Sequence, residues 1–147
     1  MWFKNLVVYR LPAGLKLDIP ALEEKLAKLT MQPCGNMDRE TLGWVSPRGD
    51  DRLLHVLHQQ VLIALGQEAK LLPSSVVNQF AAERAAEIEE QQGFKVGKKQ
   101  MRELKEQVTD ELLPRAFTRR RVTHAWIDPV HGWLVVDAAA LAKAETL

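Results

Sequence analysis

Cysteine is nearly missing from this sequence: Cys34 is the single one in 147 residues. An internal disulfide is therefore excluded within these residues, and a reducing compartment is the expectation. No apolar run approaches the roughly 20 residues that a membrane-spanning helix requires. The opening Met1-Trp2-Phe3-Lys4-Asn5 passes straight into Leu6-Val7-Val8-Tyr9. It lacks the ordered basic region, long apolar stretch and cleavage site of a secretory signal, so a cytoplasmic location is expected. Internal repeats and low-complexity segments are also missing.

The usual marks of catalysis and metal binding are equally scarce. There is no Gly-x-Ser-x-Gly elbow, and Ser46, Ser74 and Ser75 sit at element boundaries near prolines. The segment Gly93-x-x-x-Gly97-Lys98-Lys99 has the wrong spacing for a phosphate loop and no Ser or Thr after Lys. His55 and His58 lie three apart in a strand-like segment, where their side chains would face opposite sides. His124 and His131 flank a hairpin, and Asp50-Asp51 reads as a solvated turn. No metal, no cofactor and no enzymatic activity are expected.

What is present is charge, unevenly placed. The 20 Lys and Arg nearly balance the 19 Asp and Glu. Nine of the 20 fall between residues 95 and 121: Lys95, Lys98, Lys99, Arg102, Lys105, Arg115, Arg119, Arg120 and Arg121. Four acids share that stretch (Glu103, Glu106, Asp110 and Glu111), leaving it at +5, while the remainder holds eleven bases and fifteen acids, or −4. A polyanion responds to the local field rather than to the net charge, so this asymmetry points to nucleic acid.

The apolar pattern predicts an α+β fold with a largely antiparallel sheet and a projecting antiparallel helical hairpin. Strands are expected over residues 2–11, 41–46, 53–57 and 59–65, with a turn beginning at Gly66. The boundary at His58-Gln59-Gln60 carries no strong turn signal. A short helix over residues 21–29 places Leu22, Leu26 and Leu29 on one stripe, with Asp18 as its cap. A longer helix starts at Ser74 or Ser75 and ends before Gly93, with Val77, Phe80, Ala81, Arg84, Ala85 and Ile88 inward. A second follows over residues 98–112, with Met101, Leu104, Val108 and Leu112 on one stripe and Pro114 as its stop. Five residues separate the two, which predicts an antiparallel pair. Residues 121–127 and 133–137 read as a hairpin, and residues 138–147 as a helix without a Gly or Asn cap. Such an end is expected either of a portion of a longer protein or of a frayed terminal helix. The expected organisation is an α/β body over 1–73, the helical hairpin over 74–114, and a β-hairpin returning to the body over 115–147.

Lys98, Arg102 and Lys105, at spacings of four and three, fall on one helical face. Cations at mixed spacing suit a phosphate backbone, where each contact releases counterions. No helix-turn-helix precedes this helix, so sequence-specific reading is not expected. The competing reading is a solvated face held by pairs such as Lys99–Glu103 and Arg102–Glu106. Phe117 lies among cations in Arg115-Ala116-Phe117-Thr118-Arg119. It suits a partner contact or stacking on a base, or else a local core covering the hairpin's base.

Several ordered motifs resemble the recombination-associated protein RdgC family. They are residues 2–11 (Trp2-Phe3-Lys4 through Leu11), Pro33-Cys34-Gly35, Gly43-Trp44-Val45 with Pro47, and Leu71-Leu72-Pro73-Ser74-Ser75-Val76. Leu112-Leu113-Pro114-Arg115-Ala116-Phe117-Thr118-Arg119 and Trp126-Ile127-Asp128 complete the set. The resemblance implies a nucleoid-associated protein that binds double-stranded DNA with little sequence preference, forms a ring-shaped homodimer and restrains RecA-driven strand exchange. It implies a helical finger at residues 75–112 that holds DNA, with Lys95, Lys98, Lys99 and Arg102 near its tip, and Phe117 at the subunit contact. Family members are considerably longer, so this chain resembles an N-terminal portion, and ring closure by it alone is in doubt. The alternative is a protein-interaction module that docks a recombination partner through the hairpin.

Overall fold

A computed structural model describes residues 3–147; Trp2, the expected start of the first strand, lies outside the described residues. The fold is α+β. Six strands, β1 (Leu6–Arg10), β2 (Glu40–Val45), β3 (Leu54–Leu57), β4 (Gln60–Lys70), β5 (Thr118–Asp128) and β6 (Trp133–Asp137), form one sheet in the order β1-β6-β5-β4-β2, with β3 paired to β4. The β1–β6, β5–β6 and β3–β4 pairings are antiparallel, with Val8 opposite Val135, Trp126 opposite Val135 and His55 opposite Leu62.

The chain divides into two compact units. One comprises the described residues through Gln32, with Thr41–Gln67 and Arg120–Leu147; the other comprises Pro33–Glu40 and Glu68–Arg119. The first unit buries Leu26, Leu54, Val61, Ile63, Ala125, Val136, Ala138 and Ala144. Leu26 comes from α1 (Ile19–Ala27), whose cap is Asp18: its carboxylate accepts from the Ala21 amide at 3.2 Å. The helix starts two residues earlier than the sequence suggests, because Pro20 fits the first turn, where no amide donor is needed.

The hairpin between the strands expected over 53–57 and 59–65 forms and its boundary is fixed, whereas the turn expected at Gly66 does not form. His58-Gln59 forms a two-residue hairpin between the paired Leu57 and Gln60, with His58 in the left-handed region at φ 56°. A non-glycine rarely takes this conformation, which is why the sequence carries no signal there. Gly66 begins no turn; it lies within β4, where a Cβ would come within 2.6 Å of Met31 Sδ and 2.7 Å of Val45 Cγ1. Its neighbour in this packing, Gly43 of β2, is tighter still: a Cβ there would lie 2.3 Å from the Met31 backbone. Both glycines mark close approach rather than chain reversal. At the end of the chain, α4 covers only Leu141–Ala144, shorter than the expected terminal helix.

The second unit contains α2 (Ser74–Gln92) and α3 (Lys98–Leu112), joined by residues 93–97 and followed by a 3-10 turn at Leu113–Arg115. Neither Ser74 nor Ser75 caps α2; Pro73 occupies the cap position with no side-chain hydrogen bond. Val77, Ala81 and Ala85 of α2 pack on Leu104 and Val108 of α3, with Ile88, Val96, Met101 and Leu112 around them. Small alanines let the helices approach closely, and only a narrow apolar stripe is needed. Phe80, expected to face inward, is exposed, one residue round the helix from that stripe. Arg84 is half-exposed and joins α2 to α3 by two hydrogen bonds to the Glu111 carboxylate, one of them at 2.9 Å.

Candidate nucleic-acid interface

The connection between the two helices is ordered by side chains of α2. Glu89 Oε1 accepts from the Val96 amide at 2.9 Å, and Gln92 Nε2 donates to the Phe94 carbonyl at 2.9 Å. Val96 is thereby held against the shared core, while Lys95 and the largely exposed Phe94 (66 %) face solvent. Helix α3 then begins at Lys98, directly after Gly97.

From this start the 3.6-residue repeat carries Lys98, Arg102 and Lys105 along one side of α3. The three line a single open groove of about 460 Å³ with Val96, Gly97 and Met101. No acid lines it. Lys99 is exposed on the same helix, outside the groove lining. The pairs Lys99–Glu103 and Arg102–Glu106 do not form: among the described residues, no acid lies within 4.0 Å of Lys95, Lys98, Lys99, Arg102 or Lys105. Exposed pairs of this kind contribute little to stability, and one that does form, Lys28 with Glu24 at 2.9 Å, lies at the end of α1.

The remaining cations of the tract are placed otherwise. Arg115 is exposed in the 3-10 turn, and its charge helps, after that of Arg84, to hold the Glu111 carboxyl below the usual carboxylate range. Arg119, Arg120 and Arg121 follow Thr118 at the start of β5, which begins three residues before the expected strand, and all are exposed. Arg119 belongs to the helical unit, and Arg120 and Arg121 belong to the other. Successive strand residues point to opposite faces, so these three cannot present one continuous surface as the α3 cations do.

Phe117 is 84 % exposed, which excludes the local-core reading. Its backbone is fixed, since its carbonyl accepts from the Leu71 amide at 2.7 Å. A second concavity of about 320 Å³ in the helical unit brings Arg39 and Lys70 beside Lys105. Sequence reading missed this grouping because its members are far apart in the chain and no local pattern links them.

Among the described residues, no group of three His, Cys, Asp or Glu is placed to hold a metal ion, and no helix is long and apolar enough to cross a membrane. The class these features define is an α+β protein with an antiparallel sheet and a helical unit bearing an acid-poor cationic groove. The chain belongs to the RdgC family: that family's model, described as "Putative exonuclease, RdgC", matches residues 1–147. It is 57% identical over 145 residues to the recombination-associated protein RdgC of Herminiimonas arsenicoxydans, covering 99% of this chain and 48% of that protein. The proteins of the same name from Janthinobacterium sp. (strain Marseille) and Bordetella pertussis are 55% and 57% identical, with the same coverage. The chain thus spans about half the length of the curated relatives it matches. Their name ties those proteins to recombination and states no enzymatic activity, whereas the family description names an exonuclease.

Proposed function

We propose that this chain serves recombination by binding double-stranded DNA through its phosphates, without sequence preference and without chemistry of its own. The observation that carries the reading is the acid-free groove holding Lys98, Arg102 and Lys105, with Lys95 and Lys99 exposed nearby. From Lys98 to Lys105 the helix rises about 10 Å. That matches about three base-pair steps of 3.4 Å along one strand. Flexible lysines at this spacing suit repeated phosphates and carry no base code. Arg115 and Arg119, in the same unit, add to its positive charge, and Arg120 and Arg121 carry theirs in the other unit. In the longer relatives' setting, the reading includes nucleoid association, a ring-shaped homodimer with Phe117 at a subunit contact, and restraint of RecA.

Exonuclease chemistry, which the family description names, is the competing reading, and release of nucleotides from a duplex by this chain would establish it. A second binding reading rests on Phe94, which is exposed beside Lys95 and suits docking of a protein partner. Replacing Lys98, Lys99 and Arg102 together with Glu separates the two. Loss of duplex binding supports phosphate contact, and duplex binding that survives the charge reversal overturns it.

A further inference from the structure

The 320 Å³ concavity in the helical unit is lined by Arg39, Lys70, Ser74, Asn78, Lys105 and Thr109, over a floor of Leu72, Val77 and Leu113. Three cations enter it and no acid does. They come from three separate stretches of chain and are held by backbone structure: the Lys70 amide donates to the Arg39 carbonyl at 2.8 Å, which fixes these two residues side by side. Ser74 and Asn78 are four apart on α2, and Lys105 and Thr109 are four apart on α3, so each helix offers one face. The Thr109 hydroxyl already donates to the Lys105 carbonyl at 2.7 Å. Among the described residues, the side chains of Arg39, Lys70, Ser74, Asn78 and Lys105 have no hydrogen-bond or ion-pair partner. Five polar groups capable of donating thus converge without a protein acceptor.

We infer that this concavity is a phosphate-monoester site, distinct from the groove along α3 and sharing with it only Lys105. Three cations match a dianionic monoester better than the single charge of a backbone diester, and guanidinium, ammonium, hydroxyl and amide donors suit its oxygens. The volume is near the lower limit for small-ligand pockets, enough for a phosphate with little more than its sugar. The ligand class is therefore free phosphate, a mononucleotide or the phosphorylated end of a nucleic-acid strand.

The test is a titration of the 147-residue chain with inorganic phosphate, and separately with a nucleoside 5′-monophosphate, at constant ionic strength. Amide chemical shifts of residues 70, 74, 78 and 105 are the readout. Saturable shifts, weakened about tenfold or more by R39Q/K70Q and also by S74A, are expected. Equal affinities would assign the site to the phosphate group alone, and a tighter nucleotide would assign it to a nucleotide's phosphate, free or at a strand end; both support the inference. Shifts that do not saturate, or that survive both variants unchanged, overturn it. Replacing Lys98, Lys99 and Arg102 with Gln touches only the α3 tract and should leave these shifts intact while weakening duplex binding. Failure of the phosphate site and failure of the duplex-binding proposal are thereby read out separately.

Discussion

Replacing Lys98, Lys99 and Arg102 of α3 with Gln should change the salt dependence of duplex binding by a calculable amount. Each phosphate contact contributes about 0.9 to the slope of log K against log [salt]. Removing three contacts should therefore flatten the slope by about 2.7, however many contacts remain elsewhere. Between 50 and 200 mM salt this corresponds to about a 40-fold smaller loss of affinity for the variant than for the parent chain. The fold should be unaffected. All three side chains are exposed, none has an acid within 4.0 Å among the described residues, and Gln is close to Lys and Arg in helix propensity. Fluorescence anisotropy with a labelled random-sequence duplex at four or five salt concentrations gives both slopes. Circular dichroism confirms equal helix content. Identical slopes in the two proteins, with binding intact, would refute phosphate contact by these three residues.

Four further outcomes follow from the packing and the site. Leu104→Ala removes a buried side chain from the core shared by α2 and α3, and should cost about 2–5 kcal/mol in denaturant unfolding. Gly43→Ala drives a Cβ into the Met31 backbone and should destabilise by about 1–3 kcal/mol or more, measured by thermal melting. Arg84 holds the Glu111 carboxyl below its usual range through hydrogen bonds and charge. A depressed carboxyl contributes stability that is present above the unfolded value of about 4.3 and lost as pH falls through the lower folded value. Acid unfolding of Glu111→Gln should accordingly lose this part of the pH dependence below about pH 4. Phe117→Ala should leave the melting temperature unchanged, because the ring is exposed, and the subunit contact proposed for it predicts weaker self-association of a longer relative carrying the same change, measured by sedimentation.

The sequence revealed elements where signals are local and repeated. The two-fold alternation of Trp133–Asp137 and the helical stripe of Lys98–Leu112 were read with their observed bounds. The end of α2 at Gly93, with φ 78°, was equally legible, since a left-handed cap favours glycine. Features set by tertiary contact were hidden. Gly66 looks like a turn and is instead an allowance for Met31 and Val45. The hairpin at His58 has no glycine to announce its positive φ. The loop at Asp128 was legible but the carboxylate's role was not: it accepts from the Val130 and His131 amides at 3.1 Å and from Gln60 Nε2 at 3.1 Å, ordering the turn before β6. Of the cationic tract, the face uniting Lys98, Arg102 and Lys105 was legible from spacing. The convergence of Arg39, Lys70 and Lys105 was not, because only the folded chain brings residues so distant in sequence to one concavity.

The most direct test of phosphate-mediated DNA binding is to titrate this chain with two random duplexes of unrelated sequence across 50 to 200 mM salt. Equal affinity for both, falling with a slope of about −2.7 or steeper as expected for at least three phosphate contacts, is the predicted result. Affinity that does not change with salt, or no binding at 50 mM, would contradict it.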